Sequence, residues 1–195
     1  MSKEFYPYIP TESLPYIESI MDAGILVKLS KNRKTKWGDF RVGYPIKKPT
    51  ITINNSLNQK AFLLTLIHEL AHYHCWKKYG KSIKPHGNEW KAMFTKLTYP
   101  ALTSTVFDKP YRTAILKHLA KPKSSICYDI ELMKYLEPNT DEKSMYLSQI
   151  PKGTNFYLNN KTFTLLEFKR TRALCLNLSS NKKYLVHLSN RVQAC

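Results

Sequence analysis

One stretch limits what this chain can become. Residues 62–76, FLLTLIHELAHYHCW, place His68-Glu69-x-x-His72 inside a run without proline or glycine. At about 3.6 residues per turn, side chains four apart share a helix face and stand roughly 6 Å apart, so two neutral imidazoles can hold one metal ion. Glu69 is turned about 100° from His68 and about 60° from His72, which keeps it beside such an ion and within reach of a water at its open position. The pattern predicts a helix over 57–79. Ser56-x-x-Gln59 fits a capping box at its start and Gly80 offers a left-handed stop. Leu63, Leu66, Ile67, Leu70 and Cys75 put apolar bulk around the histidines, so the pair is expected at the edge of a core.

A catalytic zinc takes three protein ligands and leaves its fourth position to water, whereas a structural zinc closes all four with protein. The next stretch offers two side chains for the third place. His86 stands fourteen residues past His72, in Lys84-Pro85-His86-Gly87-Asn88-Glu89-Trp90, and Glu89 opens a second helical pattern. Pro85 and Gly87 bracket a turn or helix start. On spacing alone both remain open.

His68-Glu69-Leu70-Ala71-His72, Tyr79-Gly80 and Pro85-His86-Gly87-Asn88-Glu89-Trp90 together resemble the SprT family of zinc metallopeptidases, which includes the Spartan proteases. Trp37-Gly38-Asp39-Phe40 and Ile51-Thr52-Ile53 resemble the N-terminal half of that family, and the resemblance covers roughly residues 10–120. It implies a zincin-like minimal metallopeptidase domain, a small sheet packed on helices. It also implies one Zn²⁺ held by His68, His72 and His86, Glu69 as catalytic base, and protein as substrate. Spartan-type members degrade proteins crosslinked to DNA, so DNA-bound protein is an implied substrate. Many members carry a C-terminal zinc ribbon built from cysteine pairs, and here the chain departs. Cys75, Cys127, Cys175 and Cys195 are widely spaced with no Cys-x-x-Cys, and are expected as free thiols.

The formal net charge of +17 on 195 residues favours polyanions through counterion release. Residues 28–48 carry eight basic side chains against Asp39 alone, and residues 152–195 carry eight against Glu167 alone. The expected nucleic-acid contacts are Lys31, Arg33, Lys34 and Lys36 in the first segment and Lys169, Arg170 and Arg172 in the second. Thirteen tyrosines and three tryptophans supply stacking surfaces for single-stranded DNA. The plainer alternative is that both runs are solvated faces. A second function class rests on the same charge: a nucleic-acid-binding protein whose metal site is structural or vestigial. With no apolar run near 20 residues and no apolar h-region after Met1, the chain is expected to be cytoplasmic, and to act as a monomer.

Along the chain, Ser13 is expected to cap a short helix bearing Leu14, Ile17, Ile20 and Met21. Ile25–Leu29 reads as a strand, residues 39–42 as its hairpin partner and residues 50–53 as a third strand, one edge of which would run beside the cleft and bind substrate by strand addition. A helix from Trp90 should reach about Leu97 before Pro100, and another should span 110–119 with Ile115 and Leu119 inward and His118 facing solvent. Asp129–Leu136 reads as a short helix. Beyond Ile150 the period drops to 2, with turns at Asn159-Asn160 and Ser179–Asn181, predicting a small β-barrel or β-meander. The expected fold class is α+β: a metallopeptidase domain over 1–120, a linker over 121–150, and a basic β-rich module over 151–195. That module would bind nucleic acid in place of the ribbon, or serve as a structural cap.

Overall fold

The computed structural model describes residues 3–31, 33, 36–43, 46–123, 125–136 and 144–195, and among them helices and two sheets make a mixed α+β protein. The chain divides into two units, Met1–Cys127 with Glu131–Glu137, and Tyr128–Ile130 with Pro138–Cys195.

In the first unit, short 3-10 turns lead to α1 (Leu14–Ile20), followed by β1 (Leu26–Ser30), β2 (Gly38–Gly43), β3 (Ile46–Asn54), α2 (Gln59–Tyr79), α3 (Asn88–Thr98) and α4 (Lys109–Ala120). The helix α5 (Ile130–Leu136) comes next in the chain. The Pro/Tyr-rich lead is part of the core: Phe5 and Ile9 are buried, and Tyr8 stacks on Phe62.

The histidine-bearing helix is α2, and its start corrects the capping-box expectation. Asn58, with extended backbone, is the cap. Its carboxamide oxygen accepts the Ala61 N–H at 2.9 Å, while its amide donates to the Leu136 carbonyl. Ser56 therefore caps nothing, and the helix begins at Gln59. It ends at Gly80 as expected, and Gly80 takes a positive φ of 65° and donates its N–H to the Trp76 carbonyl at 2.8 Å, but its ψ of −139° is not that of a left-handed cap. Every residue from Ala61 to Leu70 is buried, since β2, β3 and α3 all pack on this helix. A helix enclosed on all sides needs apolar residues all round, which is why its first half reads as a run and not a stripe.

The small sheet has the order β1-β3-β2, with β1 parallel and β2 antiparallel to β3. The expected β1–β2 hairpin does not form. β3 carries Ile51 and Ile53, both fully buried, and takes the centre. The connection from β1 to β2 crosses the end of β3, where buried Asn54 holds it: the Asn54 amide donates to the carbonyls of Arg33 and Lys36, and its N–H to Trp37. Arg33 adds bonds to Thr52, Trp37 and Asp39. Polar residues at one strand end thus override sequence proximity in choosing strand partners.

Past the helical segment, α3 ends at Thr98 and α4 buries Ile115 and Leu119 as expected. His118 does not face solvent; it is buried beside Phe94. One helical turn separates it from Ala114 and Ile115, which places it on the inward side of α4.

The second unit is one six-stranded antiparallel sheet, β4 (Ser144–Tyr146), β5 (Asn155–Leu158), β6 (Lys161–Phe168), β7 (Arg172–Asn177), β8 (Lys183–His187) and β9 (Arg191–Ala194), in the order β4-β9-β5-β6-β7-β8. β5 to β8 form the expected meander, whereas β4 and β9 were not read from the sequence. The barrel alternative is not realised: β9 returns to the free edge of β5, β4 covers β9, and no described strand joins β8 to β4. Period-2 alternation puts Phe156, Phe163, Leu165, Ala173, Cys175, Val186 and Val192 on one face, where Leu147 and Ile150 complete the core. Asn159 and Asn160, with φ of 51° and 59°, make the two-residue hairpin turn. All four cysteines are free thiols, and no described helix is long and apolar enough to cross a membrane.

Candidate metal centre

His68 and His72 leave α2 one turn apart, and a loop after Gly80 brings a third imidazole to them. The Nε2 atom of His86 lies 3.0 Å from that of His72 and 3.3 Å from that of His68. Each of the three offers a ring nitrogen, and these lie within 4.8 Å of one another. Ligands about 2.0–2.1 Å from a tetrahedral ion stand about 3.3 Å apart, so the three nitrogens are spaced as a zinc-sized ion requires. Glu89, the competing third ligand, is exposed and outside the cluster.

The loop that delivers His86 is a tight turn. Gly87 donates its N–H to the Lys84 carbonyl at 2.9 Å, with Pro85 and His86 between them. His86 has a φ of 58°. Proline second and a positive φ third describe a type II turn, whose third position favours glycine. A histidine there bears backbone strain on the order of 1 kcal/mol, and such strain collects at functional sites. Gly87 is required as well, because a Cβ there would meet the Lys84 carbonyl at 2.9 Å.

Burial, followed by the charges of His72, His86 and His118, holds His68 well below the ordinary imidazole range. Burial and His86 hold His72 at about 3, and burial lowers His86 too. All three are therefore neutral near pH 7, the form that donates a lone pair to a metal. Trp90 packs against the whole cluster. Its ring centroid is 4.6 Å from that of His68, 5.1 Å from His72 and 4.7 Å from His86, and Phe94 stacks behind it at 4.9 Å.

Glu69 is 6% exposed. Burial pushes its carboxyl up to about 8, Asp39 adding to the rise, while the main-chain N–H of Phe40 donates to it and pulls the other way. A cation on the triad would lower it further. Gly38 fixes where the carboxylate can lie: a Cβ there would stand 2.7 Å from Thr65 Cγ2 and 3.0 Å from Glu69 Oε1. Asp39 itself, though burial works against ionisation, is held at about 2 by bonds from Thr52, Arg33 and Arg41 and by the charge of Lys36.

Two neighbours of the triad on α2, Tyr73 and His74, have structural duties. Tyr73 donates to Asp22 at 2.6 Å and His74 contacts the Ile20 carbonyl at 2.8 Å, so both pin the end of α1 and neither is turned to the triad. Of the expected nucleic-acid contacts, Arg33 is engaged with Asp39, Thr52 and Asn54, and Lys36 pairs with Asp39 at 3.3 Å. Lys169 pairs with Glu167 at 2.6 Å. Lys31, Arg170 and Arg172 are exposed, and Lys34 lies outside the described residues. Missed from the sequence were the roles of Gly38 and Phe40, which touch Glu69, and of Trp90, which underlies the histidines. A glycine two residues before a strand-forming Phe-Arg-Val and a tryptophan four after His86 were the available signals.

A family model described as the SprT-like family matches residues 13–108. The protein SprT of Cronobacter sakazakii is 38% identical over 71 residues, an alignment covering 31% of this chain and 42% of that relative. The chain thus aligns with well under half of the curated relative's length. No solved structure matches.

Proposed function

Because this chain belongs to the SprT-like family, we propose that it is a zinc-dependent metallopeptidase with a zincin-like catalytic unit, acting on proteins bound or crosslinked to DNA. The observation that carries this reading is the convergence of three neutral imidazoles beside a buried, hydrogen-bonded carboxylate.

His68, His72 and His86 would hold the ion, and the donor set suits zinc: three imidazole nitrogens with room for a fourth group. When bound, zinc polarises a water and the peptide carbonyl, which eases attack at neutral pH. Glu69 takes the proton of the attacking water on a carboxylate oxygen and hands it to the departing amine. Phe40 N–H and the close backbone of Gly38 keep that carboxylate in one place. β2 is one of the two edge strands of the small sheet, and its Phe40 turns a main-chain donor toward Glu69. An extended substrate segment adding to β2 would therefore lie alongside the carboxylate, held by main-chain bonds that ignore side-chain identity. The net charge of +17 supports a DNA-associated substrate.

The test is casein hydrolysis and self-cleavage with and without single-stranded DNA, together with zinc content. Glu69→Gln is expected to lower turnover by about 10²–10⁴-fold while zinc stoichiometry stays at one. An active Glu69→Gln protein would overturn the assignment of the base, and an inactive, zinc-loaded wild type would favour the nucleic-acid-binding alternative.

A further inference from the structure

The outer side of α4 carries an arrangement that packing does not explain. Tyr111, Ile115, His118 and Leu119 are the buried side of this helix. Lys109, Arg112, Thr113 and Leu116, spaced three, one and three apart, form a second stripe on it. Together with Leu102 and with Tyr99 of the preceding 3-10 turn (Tyr99–Ala101), they line a cavity of about 270 Å³ within the first unit.

Three properties of this cavity bear on what it would take. First, its apolar wall is uncovered: Tyr99 is 66% exposed and Leu116 44%. Single exposed apolar side chains are ordinary, but these two share one cavity with half-buried Leu102. Second, its polar part is cationic. Neither Lys109 nor Arg112 has an ion-pair partner among the described residues, and no carboxylate is among the described residues of the lining. Third, both cations stand in the first turn of α4, which holds no acidic residue. The helix macrodipole puts partial positive charge at that end, so the two are placed against it. Asp108 precedes them at the N-cap, yet its side chain accepts no helix N–H and does not line the cavity. An anion between Lys109 and Arg112 relieves both conflicts.

An uncovered aromatic ring flanked by aliphatic side chains takes a base on its face, and cations beside it take the attached phosphate. The volume lies just below the range of drug-sized sites, about 300–1,000 Å³, so one base with its sugar fills it. No amide side chain lines it to read a base edge, and Thr113 gives its hydroxyl proton to the Lys109 carbonyl at 3.0 Å, which makes the site tolerant of base identity. We propose that this cavity is a stacking site for one unpaired nucleotide, by which the first unit holds a single-stranded nucleic acid. The proposal rests on the nucleic-acid association put forward above, to which it adds a surface and a strand form, and is independent of the peptidase chemistry. A duplex keeps its bases stacked on one another and offers the ring no face.

The experiment uses the full chain with fluorescein-labelled twelve-residue oligothymidylate, a blunt duplex and an acidic, leucine-containing peptide, with anisotropy followed across salt concentrations. Tyr99→Ala is expected to weaken single-strand binding about tenfold, without changing the slope of affinity against salt and without changing duplex affinity. Tyr99→Phe should bind the strand within about twofold of the parent. Arg112→Gln should lower the single-strand salt slope by about 0.7, the share of one phosphate contact. Far-ultraviolet melting guards against unfolding. Photocrosslinking of a 5-iodouracil-substituted strand to the unaltered protein should label Tyr99 and needs no variant at all. Parental affinity in Tyr99→Ala, a parental slope in Arg112→Gln, a crosslink confined to residues outside 99–116, or tighter, Tyr99-dependent binding of the acidic peptide would each overturn the site while leaving a general nucleic-acid association standing. No binding of any strand by the parent would overturn both, and casein hydrolysis without DNA judges the peptidase reading separately.

Discussion

In the first unit the interior holds His68, Glu69 and His118 among its aliphatic side chains, whereas the core of the second sheet, from Leu147 to Val192, is apolar throughout. The second unit's one fully buried polar residue among those described, Asn177, is satisfied by the main chain and hydroxyl of Ser180. In the first unit, by contrast, His68 Nδ1 and Trp90 Nε1 are buried without a hydrogen-bond partner among the described residues. Each such conflict costs stability. Agreement between pattern, turn and packing specifies a fold, and breaches gather where a chain has another task. The contrast locates that task in the first unit without reference to any relative.

Trp90→Ala is the harshest probe of the contrast. Removing a fully buried indole should cost about 3–5 kcal/mol and disperse the histidines, lowering the first unit's melting transition and zinc content while the second unit's transition stays. Both transitions falling together in calorimetry would break the idea that the units are energetically separate.

Zinc itself should come next. At a free concentration about a thousandfold above its dissociation constant, it should stabilise the first unit by about 4 kcal/mol and leave the second unmoved; a chelator should reverse this. Equal shifts in both transitions would argue for metal binding elsewhere.

Acid should also discriminate. Asp39 ionises near 2 in the folded protein against an ordinary 3.8, so its contribution is present above about pH 3.8 and is lost as pH falls through 2. Its side chain is 14% exposed, and after allowing for solvent screening the linkage is about 1–2 kcal/mol. Asp39→Asn should flatten that acid limb in the first unit alone, measured as stability between pH 5 and 2.

The smallest effect compares two residues of positive φ. His86→Gly should stabilise the metal-free protein by about 0.5–1 kcal/mol and abolish zinc binding. Asn181→Gly, at a φ of 52° in the second unit, should change stability by less and leave zinc untouched, because asparagine tolerates that conformation better than histidine. A His86→Gly protein that is less stable without metal would mean the turn is not strained.

Much of this was readable in advance, for reasons that differ by region. The spacing of His68, Glu69 and His72 is local, so one helix delivers it whatever surrounds that helix. The meander from β5 to β8 is likewise local, with period-2 alternation, an Asn159-Asn160 turn between β5 and β6 and Ser179–Asn181 between β7 and β8. The exchange of Ser56 for Asn58 as cap was not readable, because Asn58 is chosen partly by its bond to Leu136, 78 residues away. Nor was the placement of His118, since a histidine on a basic helix carries no mark of the side it will face.

Sequence alone determined the pair of imidazoles, the carboxylate between them, the free thiols and the excess of positive charge, because each depends on residue identity or on neighbours within one or two turns. Only the tertiary structure decided that His86 and not Glu89 joins the pair, that β3 and not β1 is the partner of β2, and that Gly38, Phe40 and Trp90 surround the site. Those outcomes depend on which distant segments compete for the same buried space, and close packing settles such competition only once the whole unit has assembled.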